Sequence, residues 1–251
     1  MNQITALAAR ALRETVRVPE QIIPTVFIPL FFLVVNVGQA ARIFPSGGTP
    51  FLGGQNYAAF QLPSAILLAA SFGSAALYLV EDVEGGYFDK LRASPVSRTA
   101  IVLHRLFAEG TKTGVITVLI VLVALPFGIS VASGVLGFLL LVVLAAAWAM
   151  VFSGFMQLIA LKSRSAAATQ SGSLIFFPLL FLTPNFVPRP LLTRPMEVAA
   201  TYNPVTYIME AMRSLILDSS NWQRIGRGYA VGAVAGLAMV VLNVRTIRSY
   251  D

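Results

Sequence analysis

The chain has no cysteine. Disulfides, thiolate metal sites and thiol nucleophiles are thereby excluded. Its one histidine, His104, rules out an H-E-x-x-H helix and any multi-histidine centre. Standing beside Arg105, it reads as a helix-surface residue rather than a catalytic base. Charge is scarce, with Asp, Glu, Lys and Arg making up 12% of 251 residues. The three lysines are Lys90, Lys112 and Lys162, and none follows a glycine. A Gly-x-x-x-x-Gly-Lys-Ser/Thr phosphate loop is therefore missing, and the chain is not expected to hydrolyse ATP by itself. The apolar stretches carry no Asp, Glu or His relay of the kind a proton-driven pump needs. The net charge of +7 comes without a basic cluster interleaved with aromatics, which argues against nucleic acid as a partner.

What is abundant is apolar. Hydrophobic residues make up 57% of the chain, and its mean hydropathy is +0.77, outside the soluble globular range. Six long apolar stretches are separated by segments holding nearly all the charge. A run of about 18 or more apolar residues crosses roughly 30 Å of hydrocarbon as a helix. The expected fold is a single all-α polytopic membrane domain over residues 1–251, with spans at 21–39, 57–80, 110–129, 134–161, 166–183 and 228–244. Residues 1–20 precede the first span. Within them Ile4, Leu7, Ala8, Ala11 and Leu12 keep helical spacing while Arg10, Arg13 and Arg17 lie off that face, which fits an interfacial amphipathic helix. Gly38, Gln39 and Ala40 resemble a cleavage site, but a leader of about 40 residues exceeds the usual signal-peptide length, so the first span reads as retained. The polar residues inside spans (Asn36, Gln61, Gln157, Gln170 and Asn243) are mild and suit hydrogen bonds between helices.

Basic residues set the expected orientation. Twelve of the eighteen lie in the N-terminal segment, residues 81–112, residues 162–164 and the C-terminal segment, whereas the short loops opposite carry only Arg42. The excess marks the cytoplasmic side. Both termini are thus expected in the cytoplasm, in a cell membrane.

Residues 81–98 form the most informative connection. Val83, Tyr87 and Leu91 are spaced by four and share a helix face, with Phe88 beside it. Pro95 disfavours a helical Ser94 and ends the helix there. Ser97 is placed to cap the helix leading into the third span. On these residues alone the segment reads equally as a surface-lying connector or as a docking element.

The sequence here resembles a known family. Leu91, Arg92, Ala93, Ser94, Pro95, Val96, Ser97 and Arg98 follow the Leu-x-x-Ser-Pro-x-Ser-Arg stretch found after the second span in membrane subunits of type-2 ATP-binding-cassette exporters, preceded by an acidic, glycine-bearing run from Glu81 to Gly86. Before the sixth span, Asn203, Pro204, Val205, Thr206 and Tyr207 running into Glu210, Ala211, Met212 and Arg213 match a second family element. The likeness extends over essentially the whole chain and is strongest to drug-efflux permeases of the daunorubicin-resistance type. Glu81–Asp82 departs from the pattern of many relatives, which place a basic residue between two acids.

The resemblance implies a permease without cofactors of its own. ATP and Mg would be bound by a separate cytoplasmic ATPase subunit, and a second permease subunit, identical or different, would complete a dimer. The coupling helix implied on the ATPase side comprises Glu81, Asp82, Glu84, Phe88, Asp89, Lys90, Leu91, Arg92, Ser94 and Pro95. Within it Phe88 and Leu91 suit a groove, while Glu84, Asp89 and Arg92 suit its rim. Arg105, Glu109 and Lys112 would stiffen the lever into the third span. A re-entrant extracellular region at 184–217 would carry a gate of Phe186, Val187, Asn203 and Pro204. A cavity between second and fifth spans would be lined by Phe72, Phe176, Phe177 and Phe181, and would take a hydrophobic or amphipathic small molecule such as a drug or lipid. The rivals are a glycan exporter of the same superfamily, an intramembrane enzyme and an ion channel, the last lacking any visible filter loop or charged ring. Glu210, Ala211 and Met212 superficially resemble the coupling loop of an importer, but the expected topology places them outside.

Overall fold

The computed structural model describes residues 19–45, 48–72, 79–81, 85, 97–217 and 221–249. The described residues form helices and turns. Helix α1 spans Pro19–Ala40, α2 Tyr57–Ser71, α3 Arg98–Ala124, α4 Gly134–Ser163, α5 Ala166–Ser173, α6 Phe176–Phe181, α7 Arg194–Tyr202, α8 Pro204–Leu217 and α9 Trp222–Arg248. The expected interfacial helix lies outside the described residues.

Local sequence explains several boundaries. The Asn56 side chain accepts from Ala59 N at 3.0 Å and starts α2. Ser97 accepts from Ala100 N at 3.1 Å and starts α3, as its position predicts. Such caps satisfy an amide that the first helical turn leaves without a partner. Helix α4 ends at Arg164, whose φ of 49° places it in the left-handed region, and Ser165 then caps α5.

Side-chain contacts fix the direction of each segment. Asn243 on α9 donates to Gly154 O on α4 at 2.8 Å, and Tyr229 donates to Leu140 O at 2.6 Å, so α4 and α9 run parallel. Trp148 on α4 donates to Ser71 Oγ at the end of α2, which makes α2 parallel to both. Thr25 on α1 reaches Phe72 O while Phe44, just past α1, stacks on Tyr57; α1 is antiparallel to α2. Gly110 and Gly114 on α3 face Met150 and Val142 on α4, again antiparallel. One end of the bundle, called upper here, gathers the Gln55, Phe127, Ser133, Phe186 and Ile216 regions. The lower end holds the start of α3 and the ends of α4 and α9.

Helix α2 is the centre, with all of its residues buried. On α1, Thr25, Pro29 and Leu33 are buried at intervals of four while Ile23, Phe27, Phe31 and Val34 are exposed. Apolar side chains also cover the outer faces of α3 and α9, among them Leu119, Leu122, Val234 and Leu237. An apolar exterior around a core holding buried Gln61, Gln157 and Asn243 is the inversion a hydrocarbon solvent demands.

Among the described residues, four helices are long and apolar enough to cross a membrane: Ile23–Ala40, Thr99–Phe127, Gly134–Ser163 and Trp222–Arg248. Six continuous spans were expected, and the fifth differs. Of the second stretch, Tyr57–Ser71 and residues 79–81 are helical, and 73–78 lie outside the described residues. The fifth is broken into α5 and α6 at Leu174 and Ile175. Its first half, Ala-Ala-Ala-Thr-Gln-Ser-Gly-Ser, is small and polar, and Pro178 cannot donate to the carbonyl one turn back. The helices of the third and sixth stretches are longer than their apolar spans: α3 begins at Arg98, where the Ser97 cap predicts, and α9 runs from Trp222 to Arg248. Hydropathy marks only the apolar part of a helix and misses charged turns beyond it.

Candidate functional site

The segment after α6 crosses the upper end between α2 and α8, and it is held there by polar side chains. Arg213 on α8 is buried. Its Nε donates to Phe60 O at 3.1 Å, its Nη1 to Pro184 O at 2.5 Å and its Nη2 to Asn185 O at 2.8 Å. The guanidinium also lies over the Phe60 ring. A planar fork with several donors suits such a junction, because one side chain bonds carbonyls from two separate segments. From α2, Gln61 donates to Asn185 O at 3.1 Å and to Tyr57 Oη at 2.7 Å. Ser64 donates to Asn185 Oδ1 at 2.5 Å, and Tyr57 donates to Phe186 O at 2.9 Å. The carbonyls and side chain of a non-helical turn are thus bonded from both flanking helices.

The expected gate residues sit around this junction. Asn203 is buried, donates to Leu179 O at 2.6 Å and accepts from Val205 N at 3.0 Å. It joins α6 to the start of α8, and Pro204 occupies the first helical position, where a missing N–H costs nothing. Phe186 is partly exposed and stacks on Phe181 at 6.3 Å between centroids. Val187 follows it, half-buried.

Of the expected cavity residues, Phe72 and Phe177 make an edge-to-face pair at 6.2 Å, and Phe181 is exposed. Phe176 faces away from that pair. It is 2% exposed and turned into the protomer's own core, 5.5 Å from Phe152. Neighbours on a helix point about 100° apart, and residues four apart share a face. Phe177 and Phe181 therefore lie together, while Phe176 joins Leu180 on the buried side.

Of the expected coupling residues, Glu81 is described and exposed. Asp82, Glu84, Phe88, Asp89, Lys90, Leu91, Arg92, Ser94 and Pro95 lie outside the described residues. The lever above them is partly visible: Glu109 and Lys112 form an ion pair one turn apart, and Arg105 and Glu109 are buried at the lower part of α3. His104 corrects the surface reading. It is buried, with Nδ1 3.0 Å from Ala100 O on its own helix.

Sequence reasoning quoted Arg213 within a motif but gave it no role. Arg189 was not singled out at all; its guanidinium makes a two-point contact with Glu210 at 3.0 Å on each side and lies over the Tyr207 ring. The lone arginine of α8, a helix whose other charge is Glu210 alone, was the available signal, since burying it demands partners.

The architecture is that of a polytopic helical membrane protein whose longest helices are clad in apolar side chains. The sequence profile of the ABC-2 type transporter family matches residues 2–217, and the chain belongs to that family of membrane permeases. It is also similar to the daunorubicin resistance ABC transporter permease protein DrrB1 of Streptomyces coeruleorubidus, at 23% identity over 251 residues, covering 96% of this chain and 84% of the relative.

Proposed function

We propose that this chain is the membrane half of an exporter driven by a separate ATPase subunit, and that it moves a hydrophobic or amphipathic small molecule out of the cytoplasm or its adjoining leaflet. The carrying observation is the ABC-2 family membership across residues 2–217, joined to a relative whose name records drug resistance. Two permease chains, alike or different, complete the pathway. The partner ATPase holds ATP and Mg. It docks on the 81–98 segment at the lower end, which faces the cytoplasm together with both termini, and its closure is passed into α3 through the Arg105–Glu109–Lys112 stretch.

The partly exposed aromatic face of Phe177 and Phe181, with Phe72 beside it, is offered as the cargo surface. Phe181 and Phe186 then form a hinge between that surface and the upper turn. An uncharged aromatic surface attracts apolar groups by burial and cations by the ring quadrupole, which suits an amphipathic drug better than a sugar chain.

Reconstitution in vesicles with and without the partner ATPase tests the reading. ATP-dependent efflux of a hydrophobic dye only from the complete complex supports it. Transport by this chain alone without ATP overturns it.

A further inference from the structure

Beneath the upper junction, α1, α2 and α6 leave a small cavity with about 10 Å³ of space for a water's centre. Its described lining includes four polar side chains: Asn36 from α1, Gln61 and Ser64 from α2, and Asn185 from the turn. Gln61 is 1% exposed. Its Nε2 donates to Tyr57 Oη and to the Asn185 carbonyl. A carbonyl only accepts, so the amide must turn its NH₂ group that way. The other arm, Oε1, is buried and has no hydrogen-bond partner among the described residues. An acceptor in that position calls for a donor.

The surroundings narrow the choice of donor. Ser64 spends its hydroxyl hydrogen on Asn185 Oδ1, and Tyr57 spends its own on Phe186 O. A hydroxyl has one hydrogen to give. Asn36 stands four residues before the end of α1 at Ala40, about 6 Å along the axis, and inside the apolar stretch Ile23–Ala40. The hydrocarbon there cannot donate. A single water fits instead, since it needs about 10–15 Å³ for its centre and two to four polar partners. Gln61 Oε1 accepts one of its hydrogens. Ser64 Oγ keeps lone pairs to accept, and the Asn36 amide offers both a donor and an acceptor.

We propose that this cavity binds one water molecule, which donates to Gln61 Oε1 and joins α1, through Asn36, to the junction of α2 with the turn at Asn185. The described hydrogen bond between α1 and α2, Thr25 to Phe72 O, lies at the lower end. The water is its counterpart at the upper end. Phe181 also borders the cavity, but the water is held by polar groups and does not depend on the cargo assignment.

The test is X-ray radiolytic footprinting of the full chain in lipid nanodiscs without cargo, read by mass spectrometry. Radiolysis of a bound water yields hydroxyl radicals that oxidise the side chains beside it. Leu68 lines the cavity and is 1% exposed, whereas Leu141 on α4 is 0% exposed and does not line it. In the wild type, Leu68 is expected to be oxidised several-fold more than Leu141. Asn36→Leu should bring Leu68 down to the level of Leu141. Asn36→Ser, which keeps a hydroxyl and leaves more room, should retain the difference. Equal oxidation of the two leucines in the wild type overturns the proposal, since the cavity would be dry. Unchanged oxidation of Leu68 in Asn36→Leu also overturns it, because the water would not be held by Asn36.

Discussion

The guanidinium carbon of Arg213 lies 3.6 Å from the ring centroid of Phe60, and the same group bonds the Phe60 carbonyl. One arginine on α8 thus grips both the backbone and the ring of a residue on the central helix, while its other nitrogens hold the turn at Pro184 and Asn185. Without it, three carbonyls at a buried junction lose their charged donor. Removing one partner from a buried hydrogen bond costs about 1–3 kcal/mol. Arg213→Met is accordingly expected to lower the thermal midpoint of the detergent-purified protein by several degrees. Arg213→Lys, which keeps the charge but not the fork, should fall between. An unchanged midpoint in Arg213→Met would show that the junction is held by other groups.

Helix contact at Gly228 makes a sharper test because α9 supplies its own control. A Cβ at Gly228 would meet Ala211 Cβ at 2.5 Å and the Tyr207 carbonyl at 2.9 Å, whereas at Gly226 nothing lies within 4 Å. Overpacking costs about 1–3 kcal/mol, while replacing an unhindered helical glycine by alanine gains up to about 1 kcal/mol. Gly228→Ala should destabilise the protein and Gly226→Ala should leave it equal or better. Thermal unfolding of the two variants side by side decides it, and equal losses would contradict the packing of α8 against α9.

Much of this arrangement was legible in the sequence, and the reason differs from element to element. Ser97 announced the start of α3 because a cap is a local device, complete within four residues. Asn243 announced an interhelical hydrogen bond because a lone amide in an apolar helix has few other uses. Arg213 was visible as an oddity, but its role was not, since its acceptors are backbone carbonyls 28, 29 and 153 residues away and carbonyls have no sequence signature. The break between α5 and α6 was hidden for a different reason. Averaged hydropathy spreads Phe176–Phe181 over its polar neighbours and so paints one span across two short helices. The inward turn of Phe176 follows from helical phase once the break is known, and phase cannot be set before it.

The ion pair between Arg189 and Glu210 should contribute little to stability despite its good geometry. Its side chains are 24% and 26% exposed, and solvent-accessible pairs contribute about 0–1 kcal/mol. Glu210→Gln is expected to move the thermal midpoint by a degree or two at most. A large loss of stability in Glu210→Gln would assign the pair a structural role instead.

Docking of the ATPase on the 81–98 segment is open to direct test. Phe88→Asp and Leu91→Asp place a charge where the proposed groove needs an apolar anchor. Membrane insertion and yield should be unchanged, because both residues lie outside the apolar stretches. Recovery of the partner ATPase in affinity purification should fall by at least tenfold. Wild-type recovery in both variants would refute the docking role.

Orientation is the prediction on which the coupling scheme depends, and the lack of cysteine makes it accessible. Any introduced cysteine is the sole thiol in the protein. In intact cells an impermeant maleimide should label a cysteine at Ser130, which is exposed beside Gln55 at the upper end, and should spare one at Lys90. Opening the cells should expose Lys90→Cys. This pattern would place the upper end outside and the 81–98 segment in the cytoplasm, as the basic-residue count implies. The reverse pattern would put that segment beyond the reach of any cytoplasmic ATPase. No rearrangement of side chains could rescue the coupling scheme, because α2 and α3 would enter the membrane from the wrong side.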